Sequence, residues 1–213
     1  MDIKKHEWSY VQHPDIPAVV VDNWYTPKEL ELVWKQLDFF TQKNAMERAE
    51  ASSSVARKPE TNEAKGRNAR IWLDNYFTRD GNMYNIISNS LAYKLNKSFI
   101  SLLSNCSEQF RNFVTTNTNT SFVSYYENND EYDYHFDLSM FTMLIWLYKT
   151  PKKFKGGDFC FRKKDRKIEL KNNRMLLFPS YLEHKVTKLF MKNSKKNNGR
   201  YTITHFFNYN TAI

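Results

Sequence analysis

The feature that most restricts the fold of this chain is a series of short apolar runs in its second half. From residue 120 to residue 210, β-branched and aromatic residues alternate with turns rich in Asn, Gly, Pro and Lys. The runs are SFVSYYE, YHF, MFTMLIWLYK, GDFCFRK, KIELK, RMLLFP, HKVTKLF and RYTITHFFNY. Closely spaced short strands are typical of a β-sandwich or barrel, so the series predicts a β-jelly roll.

Two helical segments are expected before these strands. In the first, Thr26 can cap the helix, Pro27 takes its first position and Glu29 completes a capping box. The second extends from Asn82 to about Asn105, with apolar residues at helical spacing. Helices followed by strands predict an α+β fold in which helices support one face of the jelly roll. We expect one domain, 1–213, with its core at 120–210.

Residues 41–69 interrupt the apolar pattern with small, polar and charged residues. Long connections of this kind tend to be functional or mobile. We therefore expect a flexible loop here. Two interpretations of it remain open: a lid over a bound substrate, or a tolerated surface insertion.

Composition restricts the setting in which the protein works. The N-terminus has no apolar signal segment, and no apolar stretch reaches the roughly 18–20 residues of a membrane helix. Two cysteines give no disulfide framework, which fits a reducing compartment. These observations predict a cytoplasmic protein without a membrane partner.

The net charge of +9 leaves two interpretations of the basic residues open. They are concentrated at 57–70, 149–171 and 185–196. Lysines on loops and strand edges discourage pairing between sheets, whereas a nucleic-acid footprint is accompanied by an aromatic or helical basic motif. Because no such motif stands out, solvated loops are favoured over nucleic-acid binding.

Two metal-binding residue types stand one residue apart before the longest apolar run. Because side chains alternate along an extended strand, His135 and Asp137 point to the same face. Together they could hold one ion. An H-x-D pair alone is a weak motif, so its interpretation depends on a third ligand.

His184 is the candidate third ligand. It lies between the apolar run Met175–Phe178 and the next predicted strand. A histidine at such a junction is often a hydrogen-bonded turn residue, but a jelly roll can bring the junction beside an earlier strand. Two histidines and one carboxylate form the facial triad that suits non-haem Fe(II) and leaves coordination positions open.

The last strand carries a candidate anion site. In GRYTITHFF, the side chains of Arg200, Thr202 and Thr204 share one face. A buried guanidinium is costly unless it meets an anion. A guanidinium fork beside a hydroxyl group is well shaped for a carboxylate, so Arg200 with Thr202 predicts a carboxylate site.

In this order, the elements resemble the 2-oxoglutarate- and Fe(II)-dependent dioxygenases, particularly the prolyl 4-hydroxylase-like branch. The resemblance covers roughly 121–209 and rests on Tyr125, the H-x-D pair, TMLIWLY, KGGDFCF, LLFPSYLEHKV and GRYTITHFF. It implies a double-stranded β-helix and the cofactors Fe(II), 2-oxoglutarate and O2, with ascorbate as a candidate addition. The implied reaction hydroxylates a C–H bond, here C4 of a prolyl residue in a protein or peptide, and decarboxylates 2-oxoglutarate to succinate.

The resemblance also implies roles for individual residues. It implies iron held by His135, Asp137 and His184. It implies the distal carboxylate of 2-oxoglutarate held by Arg200 and Thr202. Further cosubstrate contacts implied in this way are Tyr125, Thr142, Leu144 and Trp146.

The spacing before the anion site departs from the usual pattern. Arg200 follows His184 by 16 positions, which is longer than is usual in this branch. If the last strand changed register, a lysine of the connecting loop could replace Arg200. Gly156 and Gly157 are expected to form a tight turn and to take no part in the chemistry.

Several other functions remain open. A hydroxylase of a free amino acid or another small molecule would share the core motifs. A nucleic-acid oxidative demethylase would suit the positive charge, but those relatives usually carry Arg and Asn where this chain has Phe206 and Val123. A jelly-roll binding module would not need an intact triad. A zinc hydrolase would need a general base such as Asp158 or Glu183.

Overall fold

The computed structural model describes residues 8–11, 16–42, 45–75, 86–193 and 195–211. The helices are α1 (Pro27–Gln42), α2 (Ile86–Lys94), α3 (Lys97–Cys106) and α4 (Glu108–Arg111). The strands are β1 (Trp8–Val11), β2 (Ala18–Val21), β3 (Glu47–Arg48), β4 (Gly66–Arg67), β5 (Ala69–Trp72), β6 (Thr118–Tyr126), β7 (Glu131–His135), β8 (Phe141–Leu147), β9 (Phe154–Gly156), β10 (Phe159–Phe161), β11 (Arg166–Ile168), β12 (Arg174–Pro179), β13 (His184–Val186), β14 (Leu189–Met191) and β15 (Arg200–Asn208). Short 3₁₀ turns join several of them.

Side-chain caps determine where the helices begin. The backbone N–H of Thr26 donates to Glu29 Oε2 at 2.7 Å, which forms the expected capping contact of α1. The second expected helix is divided, because the Asn96 side chain accepts from two following backbone N–H groups and begins α3 separately. Its first expected residues, 82–85, lie outside the described part of the chain. No helix among the described residues is long and apolar enough to cross a membrane.

Two antiparallel sheets form the framework of the protein. The larger has the order β1-β2-β12-β8-β15-β6-β5-β3, and the smaller has the order β11-β10-β13-β7-β4. Strands β9 and β14 form a separate pair. Neighbouring strands come from distant parts of the chain, as they do in a jelly roll. The expected α+β fold, a double-stranded β-helix with supporting helices, is confirmed.

Alternation along the strands of the larger sheet gives each face its own core. On β15, Tyr201 and Ile203 face the helices and belong to the larger apolar cluster. Thr202 and Thr204 face the smaller sheet instead. A second apolar cluster lies between the sheets and includes Trp146. Polar side chains in this intersheet space therefore depend on a cavity or on each other for hydrogen bonds.

The described part of the 41–69 segment packs against both sheets. Strand β3 pairs with β5, and β4 pairs with β7, where Gly66 lies opposite Tyr132. The guanidinium of Arg48 lies 2.7 Å from the carboxylate of Asp130, which connects the segment to the turn before β7. As a result, residues 53–56 lie at the edge of the intersheet space.

Candidate active site

The predicted triad residues meet at one end of the smaller sheet. His135 ends β7, His184 begins β13, and the two residues lie directly opposite each other. His184 Nε2 is 3.6 Å from Asp137 Oδ2, and His135 Nε2 is 3.8 Å from Asp137 Oδ1. The ligand atoms of all three lie within 4.8 Å of one another. Within the described ranges, no other three His, Cys, Asp or Glu side chains form such a group.

Backbone carbonyl groups orient both imidazole rings. Nδ1 of His135 lies 2.8 Å from the Asp133 carbonyl oxygen, and Nδ1 of His184 lies 2.8 Å from the Leu182 carbonyl oxygen. Because a carbonyl oxygen only accepts, each Nδ1 carries a proton, and Nε2 is the ring nitrogen that remains to bind a metal ion. Burial, reinforced by His184, holds the pKa of His135 well below its usual value. This donor set of two imidazoles and one carboxylate fits Fe(II).

A chain of hydroxyl groups fixes the carboxylate of Asp137. Thr142 Oγ1 donates to Asp137 Oδ2 at 2.6 Å and lies 2.8 Å from Ser180 Oγ. Ser180 Oγ lies 2.6 Å from Ser139 Oγ. Thr142 was expected to line the cosubstrate site, but the structure places its hydroxyl group against the triad carboxylate.

Arg200 begins β15 and is almost fully buried, with 1% of its surface exposed. Its guanidinium donates to the Gly157 carbonyl group and, at 3.0 Å, to Thr202 Oγ1, and it lies 4.7 Å from the Tyr126 ring. Nε has no hydrogen-bond partner, and no described carboxylate lies within 4.0 Å. Burial lowers the pKa of Arg200 to about 10, which still leaves it cationic at neutral pH. Such a group favours an anionic ligand.

The long connection before Arg200 does not change the register of the last strand. It contains β14 and an exposed turn, after which Arg200 lies opposite Tyr126. Lys192 and Lys195 of this connection are exposed on the surface. The geometry therefore gives no support to a loop lysine as a replacement for Arg200.

The triad and Arg200 line one cavity of about 430 Å³ between the two sheets. Leu144 and Phe159 contribute apolar side chains to its lining. The cavity continues past the triad to the outer part of the larger sheet and to residues 53–56. One cavity therefore joins a metal-type donor set, an anion site and an opening to the surface.

Residues 121–208 match the model of the 2OG-Fe(II) oxygenase superfamily. The matched segment contains His135, Asp137, His184 and Arg200. This β core belongs to the 2OG-Fe(II) oxygenase superfamily. The expected family and enzyme class are thereby confirmed, and Fe(II), 2-oxoglutarate and O2 are its cofactors. No curated protein matches the chain in sequence.

Solved structures show the same fold. A prolyl-4-hydroxylase from Pseudomonas putida matches with a TM-score of 0.55 and 12% identity, over 98% of this chain and 96% of that one. The viral collagen prolyl hydroxylase of Paramecium bursaria Chlorella virus-1, in complex with 2-oxoglutarate, matches with a TM-score of 0.52 and 12% identity, over 89% and 94%. A 2OG-Fe(II) oxygenase from Burkholderia pseudomallei gives 0.54 and 13%, over 90% and 84%.

One expected cosubstrate contact in the oxygenase lies on the other side of the sheet. The Tyr125 ring packs on Tyr201 with 4.7 Å between centroids, and its hydroxyl group accepts from the Gly199 N–H. Tyr126, the next residue, lines the cavity beside Arg200. Tyr126 is the direct strand partner of Arg200, and paired residues share a face. The structure therefore places Tyr126, and not Tyr125, beside Arg200 in the cavity.

The remaining two expected contacts differ from each other. Leu144 lines the cavity, as the sequence predicts. Trp146 is fully buried, packs against Phe159 at 5.7 Å and does not line the cavity. It therefore supports the cavity wall from behind.

Sequence reasoning missed three features of the oxygenase cavity. Tyr132 stacks on His135, with 3.8 Å between ring centroids. Arg70 lines the cavity from β5. Trp72, Phe122 and Phe206 form an aromatic wall farther out. Alternation in ARIW indicates that residues 70 and 72 share a face, but it does not say which face is inward.

Proposed function

We propose that this oxygenase hydroxylates C4 of a prolyl residue in a protein or peptide. His135, Asp137 and His184 hold Fe(II), and Arg200 with Thr202 binds the distal carboxylate of 2-oxoglutarate. The bound iron and cosubstrate supply the oxidising chemistry for C–H hydroxylation, with O2 consumed and succinate formed. The observation that carries the proposal is the convergence of the donor set and an unpaired buried guanidinium in one cavity.

The chain's own residues contribute positioning and the exclusion of water. Thr142 holds the Asp137 carboxylate, and backbone carbonyl groups hold both imidazoles. The buried side chains of Leu144 and Phe159 give the cavity an apolar lining that disfavours water. Preorganised ligands and a dry pocket are what the protein supplies in chemistry of this type.

The outer part of the cavity supports a peptide substrate. Trp72 lies 5.0 Å from Phe122 and 6.5 Å from Phe206 between ring centroids, which forms an apolar wall suited to a pyrrolidine ring. Beside the triad, Phe136 and Leu138 are 59% and 92% exposed. An open, apolar mouth leaves room for chain on both sides of a target residue. The fold shared with prolyl hydroxylases agrees with this substrate class.

We also propose that the 41–69 segment closes over the bound peptide. The Ala56 N–H donates to the Tyr132 hydroxyl group at 3.1 Å, and residues 53–56 border the cavity. A substrate that contacts this segment should protect it from limited proteolysis. Unchanged cleavage on adding a proline-rich peptide would count against a lid.

The substrate is tested by incubating the protein with Fe(II), 2-oxoglutarate and either proline-containing peptides or free amino acids. We expect succinate release coupled to the gain of one oxygen atom by a prolyl residue, located by mass spectrometry. The matched controls are Asp137→Ala protein and peptides in which Ala replaces Pro. Oxygen found on a free amino acid, with none on prolyl residues, would contradict the proposal. Absence of succinate with every target would favour a binding module.

A further inference from the structure

A second buried guanidinium lines the same cavity. Arg70 on β5 is 4% exposed, and its Nη2 donates to Ser54 Oγ at 2.7 Å. Its Nε has no hydrogen-bond partner, and no described carboxylate lies within 4.0 Å of it. Glu47, its strand partner on β3, is exposed and lies beyond ion-pair distance. Among the described residues, no anion balances this cation in the cavity.

Another buried arginine of this chain shows how a guanidinium with a structural role is paired with a carboxylate. Arg174 is 7% exposed, and its Nε and Nη2 donate to the two carboxylate oxygens of Asp22 at 2.5 and 2.8 Å. Burying a cation without such a partner costs stability. A single serine hydroxyl group offsets little of that cost. The contrast indicates that Arg70 is kept unpaired for a ligand.

Arg70 and Arg200 lie in different rows of the larger sheet, because Arg200 lies opposite Tyr126. Arg70 lies opposite Ser124 on β6, and Ser124 lies opposite Thr202 on β15. Two strand spacings of about 4.8 Å separate β5 from β15. Arg200 is held by Thr202 and the Gly157 carbonyl group at the end proposed for 2-oxoglutarate. Arg70 faces the part of the cavity that leads to the aromatic wall.

We propose that Arg70 binds a carboxylate of the primary substrate. This inference rests on the proposed function and adds a requirement: the oxidised residue lies close to a negative charge. The charge can be the main-chain carboxylate of a C-terminal proline, or the side chain of a neighbouring acidic residue. A guanidinium fork binds either carboxylate through two hydrogen bonds, and Ser54 lies beside the same site.

The first test compares ligands that differ by one charge. N-acetylproline is compared with N-acetylprolinamide, and blocked Glu-Pro-Ala with blocked Gln-Pro-Ala, for binding to full-length protein loaded with Mn(II) and 2-oxoglutarate. We expect the charged member of at least one pair to bind about 10- to 100-fold more tightly. The pair that shows the preference identifies the source of the carboxylate. Neutral and charged ligands that bind equally would overturn the inference while leaving prolyl hydroxylation intact.

The second test changes Arg70 itself. Arg70→Met should abolish the preference for the charged ligand and leave the affinity for 2-oxoglutarate unchanged, while Glu47→Gln should keep the preference. A fall in 2-oxoglutarate affinity would assign Arg70 to the cosubstrate and overturn the inference. Because Arg70 is unpaired, Arg70→Met should not lower the melting temperature, whereas a structural arginine replaced in this way would lower it.

A third test does not depend on proline. Acetate and acetamide, at matched ionic strength, are added to the protein saturated with Mn(II) and 2-oxoglutarate. Acetate should raise the melting temperature of the wild-type protein more than acetamide does, and this difference should disappear in Arg70→Met. If acetate and acetamide raised the melting temperature equally in both proteins, the carboxylate site would be overturned, even if no proline compound bound. Failure of every proline compound to bind would by itself count only against prolyl hydroxylation.

Discussion

Thr142 donates a 2.6 Å hydrogen bond to Asp137, the one carboxylate among the three triad residues. Thr142 lies on β8 in the centre of the larger sheet, whereas Asp137 follows β7 of the smaller sheet. The contact therefore links the triad to the most buried part of the fold. A carboxylate held in this way meets a metal ion without first losing rotational freedom.

Replacing Thr142 by Val should weaken metal binding. The substitution keeps the shape of the side chain and removes the hydroxyl group that holds Asp137, so we expect about a tenfold loss of affinity. Titration of the metal-free protein with Mn(II), followed by electron paramagnetic resonance, measures this. Ser139→Ala is the control, because Ser139 lies at the far end of the hydroxyl chain. Equal losses of Mn(II) affinity in Thr142→Val and Ser139→Ala would show that the hydrogen bond from Thr142 to Asp137 has no specific effect on metal binding.

Replacing Arg200 by Met should weaken 2-oxoglutarate binding by about 10- to 100-fold, because a charge-assisted pair is lost. The affinity for Mn(II) alone should not change, since Arg200 contacts none of the triad residues. Calorimetric titrations of Mn(II) into the metal-free protein and of 2-oxoglutarate into the Mn(II) protein give the two values. Arg162→Met, which changes an arginine with a 55% exposed side chain, should behave as the wild type. Unchanged 2-oxoglutarate affinity in Arg200→Met would show that Arg200 does not bind the cosubstrate.

His205 should make the metal-free protein less stable in acid. Its ring is fully buried with Nδ1 2.7 Å from Ser121 Oγ, and burial lowers the pKa of His205 to about 3. An unfolded histidine has a pKa near ~6.5. Between these values the unfolded chain binds a proton that the folded chain does not. Stability therefore falls as the pH decreases from about 6.5 towards 3.

The variant His205→Gln removes this titration. Urea unfolding of the metal-free proteins should show the wild type losing about 2 kcal/mol more than the variant between pH 7 and pH 5. The comparison with the variant cancels contributions from other groups, including His135. A difference in unfolding free energy that is independent of pH would show that folding does not lower the pKa of His205.

Replacing Gly156 by Ala should disturb both stability and cosubstrate binding. Gly156 has a φ of +67°, and an added Cβ would overlap the Lys188 carbonyl oxygen. We expect a loss of about 1–3 kcal/mol in the free energy of unfolding, measured by urea denaturation. Because the next carbonyl group accepts from Arg200, 2-oxoglutarate affinity should fall as well. Lys155→Ala, an exposed neighbour, should change neither quantity.

Local pattern was enough to predict much of this protein. The strand runs, the capping box of α1 and the inward direction of Arg200 follow from residue types and from the two-residue period of a strand. The structure brings His135, Asp137 and His184 together as the H-x-D spacing and the later histidine suggested. The break before α3 was missed, because the apolar spacing continues across Asn96 while its side chain caps a new helix.

The sequence by itself determined which residues alternate on each strand and which residue types were available for a metal or an anion, because these depend on neighbours along the chain. Only the tertiary structure decided that Tyr126 rather than Tyr125 faces Arg200, since this depends on the register between β6 and β15. It also decided that Arg174 meets a carboxylate while Arg70 meets none among the residues that the structure describes. Partners of this kind are brought together by strand pairing between distant segments, which local periodicity does not encode.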